Sequence, residues 1–183
     1  MELNKISNKA LKLALKASAV LDIEISDDAY LRCFTYTENW VFGIDIATYD
    51  NGGGDNIAVV IKDESILIKG FDHESEVSPH AQEEYGVWPG MYNGAPTELV
   101  EVLNDEVFEI EEVTFCIWRL DSEAIWSREA VELNNVKDDG SSWLLSAITT
   151  TPSAFIEYVE SYYDGDFNQL TPEKVHDVFA AQM

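Results

Sequence analysis

The sequence predicts an α+β fold: a mainly antiparallel sheet of about five to six strands, with an N-terminal amphipathic helix and two C-terminal helices. Three observations predict it. Apolar residues recur at helical spacing over residues 4–21, short β-branched and aromatic runs fill residues 29–133, and two Thr-Pro steps open periodic apolar segments beyond residue 150. No repeat, heptad array, low-complexity tract or break in composition divides the 183 residues, so residues 1–183 are read as a single domain. Apolar residues make up 46% and aromatics 11%, enough to fold despite a net charge of −24.

In the first element, Ile6, Ala10, Leu13, Ala17 and Leu21 share one face, and Lys5, Lys9, Lys12 and Lys16 share the next. Residues 1–16 therefore carry about +3 and residues 17–183 about −27. The apolar face is expected to dock on the domain, with the Lys stripe turned to solvent or to the protein's own acidic surface. Ala17-Ser18-Ala19 looks like a cleavage box, yet Lys9, Lys12 and Lys16 interrupt the apolar stretch a signal peptide needs. No apolar run is long enough to span a membrane, and a cytoplasmic protein is expected.

Strands are expected at Ala29 to Tyr36, Val41 to Tyr49, Asn56 to Lys62 and Ile66 to Phe71. Asp50-Asn51-Gly52-Gly53-Gly54-Asp55 and Asp63-Glu64-Ser65 supply hairpin turns, making an antiparallel meander. The glycine cluster lacks the following Lys and Ser/Thr of a phosphate loop and is flanked by Asp50 and Asp55, so nucleotide binding is not expected. A long connection at residues 72–96 follows, then a short helix from Pro96 to Leu103 and strands at Val113 to Leu120 and Ala124 to Leu133. Ser142 to Thr149 reads equally as helix or strand. Thr151-Pro152 and Thr171-Pro172 each place a capping hydroxyl before a proline suited to the first helical turn. Cys33 and Cys116 sit in apolar segments and are expected to be reduced core thiols, and Trp40, Trp118, Trp126 and Trp143 to be core.

Candidate chemistry concentrates in the long connection. His73 and His80, with Asp72, Glu74, Glu76, Glu83 and Glu84 nearby, could offer ligands to a divalent metal, but the spacing fixes no geometry. The competing reading makes His73 a hydrogen-bonding residue that locks the loop through Asp72 or Glu74, with a titration near neutrality. Ser75 beside His73 and Asp72 lacks the elbow of a nucleophilic serine. Asp164-x-Asp166-x-Asn168 imitates the opening of a calcium loop, but Gln169 and Val175 stand where Gly and Glu belong. No cofactor is expected. Carboxylates gather around the aromatic loop at residues 72–92, and Tyr85, Trp88 and Tyr92 among them suit contact with Lys and Arg by stacking and charge.

Gly70-Phe71-Asp72-His73-Glu74-Ser75, Trp88-Pro89-Gly90 and Thr114-Phe115-Cys116-Ile117-Trp118 resemble a family of uncharacterised acidic bacterial stand-alone domains, and the resemblance covers residues 25–165. That resemblance transfers no activity. In size, acidity, aromatic content and element order the chain is also similar in style to toxin-neutralising immunity proteins of the SMI1/KNR4-like class. The expectation is thus a non-enzymatic binding protein, such as an immunity-type inhibitor of a basic protein partner or toxin, contacted through Asp72, His73, Glu74, Tyr85, Trp88 and Tyr92. Nucleic acid and anionic membrane are expected to be repelled. The alternatives are a metal-assisted hydrolase using His73 and His80, and a DNA mimic.

Overall fold

A computed structural model describes residues 3–26, 28–121, 123–128, 138–163 and 170–182. One five-stranded antiparallel sheet organises the chain, its strands in sequence order: β1 (Phe34–Val41), β2 (Ile44–Asp50), β3 (Asn56–Lys62), β4 (Ser65–Phe71) and β5 (Phe115–Arg119). Helices α1 (Asn8–Ile25), α2 (Thr97–Val100), α3 (Ser141–Leu144), α4 (Pro152–Tyr162) and α5 (Pro172–Gln182) cover its faces. This is the α+β class that the alternating patterns predict.

Period-two alternation divides the core between the two faces of the sheet. Phe34, Tyr49, Ile57, Val59, Ile61, Ile66, Ile68, Phe115 and Ile117 pack with α1, α4, α5 and the helical turn around Leu144. Ile44, Ile46, Ala58, Val60, Leu67, Cys116 and Trp118 pack beneath Leu99, Leu103 and Phe108 of the β4–β5 connection. Three inner strands buried on both faces explain the continuous apolar runs Ile57–Ile61 and Ile66–Ile68.

Helix α1 starts where Ser7 caps it, its hydroxyl accepting from Ala10 N at 3.1 Å, and it runs four residues past the expected end at residue 21. Its buried face is Leu11, Ala14, Leu15, Ala17, Ser18 and Leu21; Ala10 is exposed and Leu13 half-buried, so the face is rotated from the expected one. The Lys stripe meets the acidic sheet: Lys12 Nζ lies 2.8 Å from Asp45 and Lys16 pairs with Glu38. The helix entry is pinned from the edge strand opposite β1. Buried Arg119 of β5 donates to Asn8 Oδ1 at 2.6 Å, Ile6 O at 2.7 Å and Leu3 O at 3.3 Å. At the other end, buried Asp22 accepts from Cys33 N at 2.6 Å, Phe34 N at 2.8 Å and the Tyr163 hydroxyl at 2.8 Å. Two orphan amides at the head of β1 are thereby satisfied.

The first strand departs from expectation. Ala29–Leu31 form a 3-10 turn, capped by Asp28, and the strand lies five residues later than read. Two causes combine. Asp28 captures Tyr30 N at 3.0 Å, and residues 37–41 are exposed on an edge strand, so the apolar signal that marks a buried strand is missing. Within β1 the ladder breaks between Thr37 and Val41, where Asn39 sits at φ 51° and gives its N–H to Asp45 Oδ1 at 2.9 Å. The turn after it needs Gly43 at φ 76°.

The later elements follow the sequence more closely. Asn56–Lys62 is a strand with the bounds expected, and the two-residue turn to β4 has Asp63 at φ 55°. Leucine-rich 97–104 is helical, Ser141–Ala147 resolves as α3 followed by a 3-10 turn, and Thr151 caps α4 through Ala154 N at 3.2 Å. The strand expected at Ala124 to Leu133 appears among the described residues only as a bridge between Ser127 and Trp118; residues 129–137 lie outside them, as does the calcium-like 164–169. Cys33 and Cys116 are buried free thiols. Trp118 is core, but Trp40 and Trp143 are substantially exposed, because one caps a bulged edge and the other reaches across the surface to Asp72. Among the described residues no helix is long and apolar enough to cross a membrane.

Candidate functional site

The β4–β5 connection is held in place rather than draped. Val77, Ser78, Pro79 and Met91 are buried, and Tyr92 gives its hydroxyl to Ile110 O at 2.7 Å. The connection carries two clusters of chemistry-bearing side chains, one at each end of its first stretch.

The first lies where β4 ends. His73 Nδ1 is 2.7 Å from Asp55 Oδ1, which also accepts His73 N at 3.0 Å, while Asn51 Nδ2 donates to Asp55 Oδ2 at 2.7 Å. Asp72, in turn, accepts Glu74 N at 2.9 Å and Trp143 Nε1 at 3.0 Å. His73 does lock the loop, but through Asp55 of the β2–β3 turn rather than through Asp72 or Glu74. Gly140, at φ 83°, lies so close that a Cβ there would stand 2.4 Å from Asp72 Cβ. One ligand atom from each of Asp55, Asp72 and His73 lies within 4.8 Å of the others, a donor set suited to a divalent cation. A cation would have to replace the proton shared by His73 and Asp55.

Electrostatics favour the ion pair. The hydrogen bond to Asp55 raises the His73 ring above its usual range despite some desolvation. Burial pushes the Asp55 carboxyl up, but His73 and Asn51 pull it down further, to a net value below normal. His73, raised when folded, stabilises below about pH 6.5 and loses that contribution as pH rises through its folded pKa; Asp55, lowered, loses its contribution as pH falls through its own. Amide exchange at residues 73–78 should therefore be slowest in mildly acidic solution and accelerate, after correction for intrinsic rates, on raising the pH to about 9. In His73→Ala the protection should be lost at all pH values. A wild type with no pH dependence there would remove the lock.

The second cluster is more open. His80 Nε2 lies 2.9 and 3.0 Å from the two oxygens of Glu112, and the Tyr85 hydroxyl donates to Glu112 Oε1 at 2.9 Å. The His80 and Tyr85 rings sit 5.2 Å apart. Desolvation and then Glu112 push the Tyr85 phenol up to about 12, so it stays a neutral donor. Tyr85 and Glu112 form one wall of a cleft of about 350 Å³, whose other lining includes Asn104, Asp105, Glu106, Glu109 and Glu111. Asp105 to Glu112 holds five carboxylates in eight residues, a denser run than that of residues 72–92. Glu109 itself sits at φ 44°, closing the 3-10 turn Glu106–Phe108. Beneath the cleft, buried Lys69 donates to Phe108 O at 2.8 Å, and burial presses its ammonium down to about 8 against the pull of Glu109 and Glu112.

The six residues expected to make contact divide unequally. His73, Glu74 and Tyr85 are exposed, Trp88 is half-buried, and Asp72 and Tyr92 are occupied by internal hydrogen bonds. His73 and His80 close on different carboxylates and do not act as a ligand pair. Ser75 is buried, its hydroxyl donating to Asp138 O at 3.4 Å and accepting Val77 N at 3.3 Å. Comparison of the chain with protein-family models, with curated proteins and with solved structures finds no match. The residues that sequence reading passed over are Asp55, Lys69 and the acidic run to Glu112. The density of carboxylates at 105–112 was the visible signal for the last of these.

Proposed function

We propose that the chain is a non-enzymatic binding protein that docks a basic protein partner against its acidic cleft, in the manner of an immunity-type inhibitor. The observation that carries the reading is the cleft itself: Tyr85, with Asp105, Glu106, Glu109, Glu111 and Glu112, offers an aromatic face and carboxylates in one concavity. Residues 33–61 and 70–118 contain no Lys or Arg, so the carboxylates of these segments far outnumber their cations. The overall charge of −24 would speed the encounter and penalise acidic partners, nucleic acid among them.

Affinity purification of the tagged chain from its source cells at about 50 mM salt tests it, followed by titration of the recovered protein. The expected result is one dominant partner of basic isoelectric point, bound more weakly by Glu109→Gln/Glu111→Gln, with affinity falling at least about 10-fold by 0.5 M salt. A partner of acidic character, or salt-independent binding, would overturn it. The metal-assisted alternative draws on Asp55, Asp72 and His73 rather than on His73 with His80. Equilibrium dialysis against Zn²⁺, repeated on His73→Ala, measures whether that group takes an ion at all.

A further inference from the structure

We infer that the docking surface is centred on the β1–β2 turn and Val107, and that its occupant is a loop of a basic protein presenting one apolar side chain flanked by Lys or Arg. This rests on the reading of the chain as a binder of a basic partner and adds where the contact is centred.

Isolated apolar side chains on a surface need no explanation, but Trp40, Val41 and Phe42 are contiguous in sequence, and Trp40 touches the segment that carries Val107. Phe42 is fully exposed at 101%, Val41 is 45% and Trp40 36% exposed. The Trp40 ring lies 5.4 Å from that of Phe108, whose neighbour Val107 is 63% exposed. The end of β1 and the 3-10 segment Glu106–Phe108 therefore meet at one contact, and Glu106 opens that segment while Asp105 and Glu109 flank it. An apolar centre beside an acidic rim is the anatomy of an interface in which the centre supplies most of the affinity and the rim steers approach. The acidic cleft alone would attract any cation; the aromatic centre supplies selectivity.

The surface is also built in advance. Asp45 holds the bulge beneath Trp40, accepting Asn39 N at 2.9 Å and the Tyr36 hydroxyl at 2.7 Å, with Lys12 2.8 Å away. Lys69 fixes the carbonyl of Phe108 from within the core. Little ordering remains to be done on binding. The bulge breaks the β1 ladder between Thr37 and Val41, so the contact uses side chains and not an added strand. A second copy of the chain would bring one acidic rim against another, which disfavours a homodimer on this face.

Panning a phage-displayed library of disulfide-constrained peptides against the chain tests the assignment. Expected are peptides with an aromatic or branched aliphatic residue beside at least about two Lys or Arg. Their affinity should fall about 30-fold or more for Phe42→Ser and for Trp40→Ala. Phe42→Ser should leave the thermal midpoint unchanged, because the side chain touches solvent all round. Basic peptides indifferent to Phe42→Ser would overturn the centre while leaving the acidic-cleft reading intact. Recovery of no peptide, or only of peptides without basic residues, would overturn the assignment, and the second result would also remove the basic-partner reading. Wild-type self-association abolished by Phe42→Ser would assign the patch to a second copy instead.

Discussion

Gly70→Ala should cost about 3 kcal/mol of folding stability, the upper end of the penalty for forcing atoms into a packed core. Gly70 lies opposite Phe115 in the β4–β5 ladder, and the fully buried Phe115 ring passes across its Cα. A Cβ at this position would stand 2.1 Å from Phe115 Cζ and 2.2 Å from Cε1. The ring has nowhere to go without displacing Leu- and Ile-lined core on the helical face. Urea denaturation reads the loss, which in a chain of this size corresponds to a midpoint lowered by roughly 6–12 °C. The cause is isolated by pairing with Phe115→Leu, which alone should cost about 1–3 kcal/mol by leaving a cavity. Together the two changes should cost at least about 1 kcal/mol less than their sum, since the smaller side chain leaves room for the methyl. Strict additivity would show that Gly70 matters for some reason other than this ring.

Lys69→Met should make the protein's stability less dependent on alkaline pH. Lys69 is 1% exposed and, among the described residues, its ammonium has one hydrogen-bond acceptor, Phe108 O at 2.8 Å. Burial lowers its pKa from 10.5 to about 8, with Glu109 and Glu112 opposing the shift. The folded state therefore releases this proton before the unfolded chain does. Below about pH 8 the buried charge is a penalty of about 3 kcal/mol; between about 8 and 10.5 the penalty fades as pH rises, and above that it is gone. Met keeps the volume and removes the charge but orphans the Phe108 carbonyl, a loss of about 1–3 kcal/mol. At pH 7 the two effects nearly offset, with a small gain expected for the variant. From pH 7 to 10 the difference between wild type and variant should swing by about 2–3 kcal/mol in favour of the wild type. Taking the difference cancels the contribution of every other titrating group. A pH-independent difference would mean that Lys69 is neutral throughout or charged without penalty.

Those two residues also show what a sequence reveals and what it withholds. Inner strands announce themselves because both faces are buried: Asn56–Lys62 was legible to the residue. The edge strand was not, since Thr37-Glu38-Asn39 face solvent and carry no apolar rhythm. Lys69 interrupts an apolar strand in a way that reads as an ordinary outward-facing charge, and only the cover supplied by Phe108, 39 residues later, buries it. The candidate site has the same character. The loop at 72–96 was recognisable from its length and aromatic content, and the locking role of His73 from its chemistry. Its partner Asp55 was not, because that pairing depends on which turn lies beside the end of β4. Glu112, 32 residues from His80 and 27 from Tyr85, is likewise reached only once the connection folds back.

The clasp between Arg119 and the N-terminal turn sets a clock on synthesis. Asn8 and Arg119 are 111 residues apart, and the carbonyls of Leu3 and Ile6 close on the same guanidinium. On a ribosome adding about 5–20 residues per second, the amphipathic helix emerges roughly 6–22 s before the side chain that fastens it. For that interval its apolar face and four lysines are displayed beside a growing acidic hairpin stack, which can hold the helix loosely by charge alone. The Lys12 and Lys16 pairings with Asp45 and Glu38, both in the first two strands, thus become available well before the Arg119 clasp.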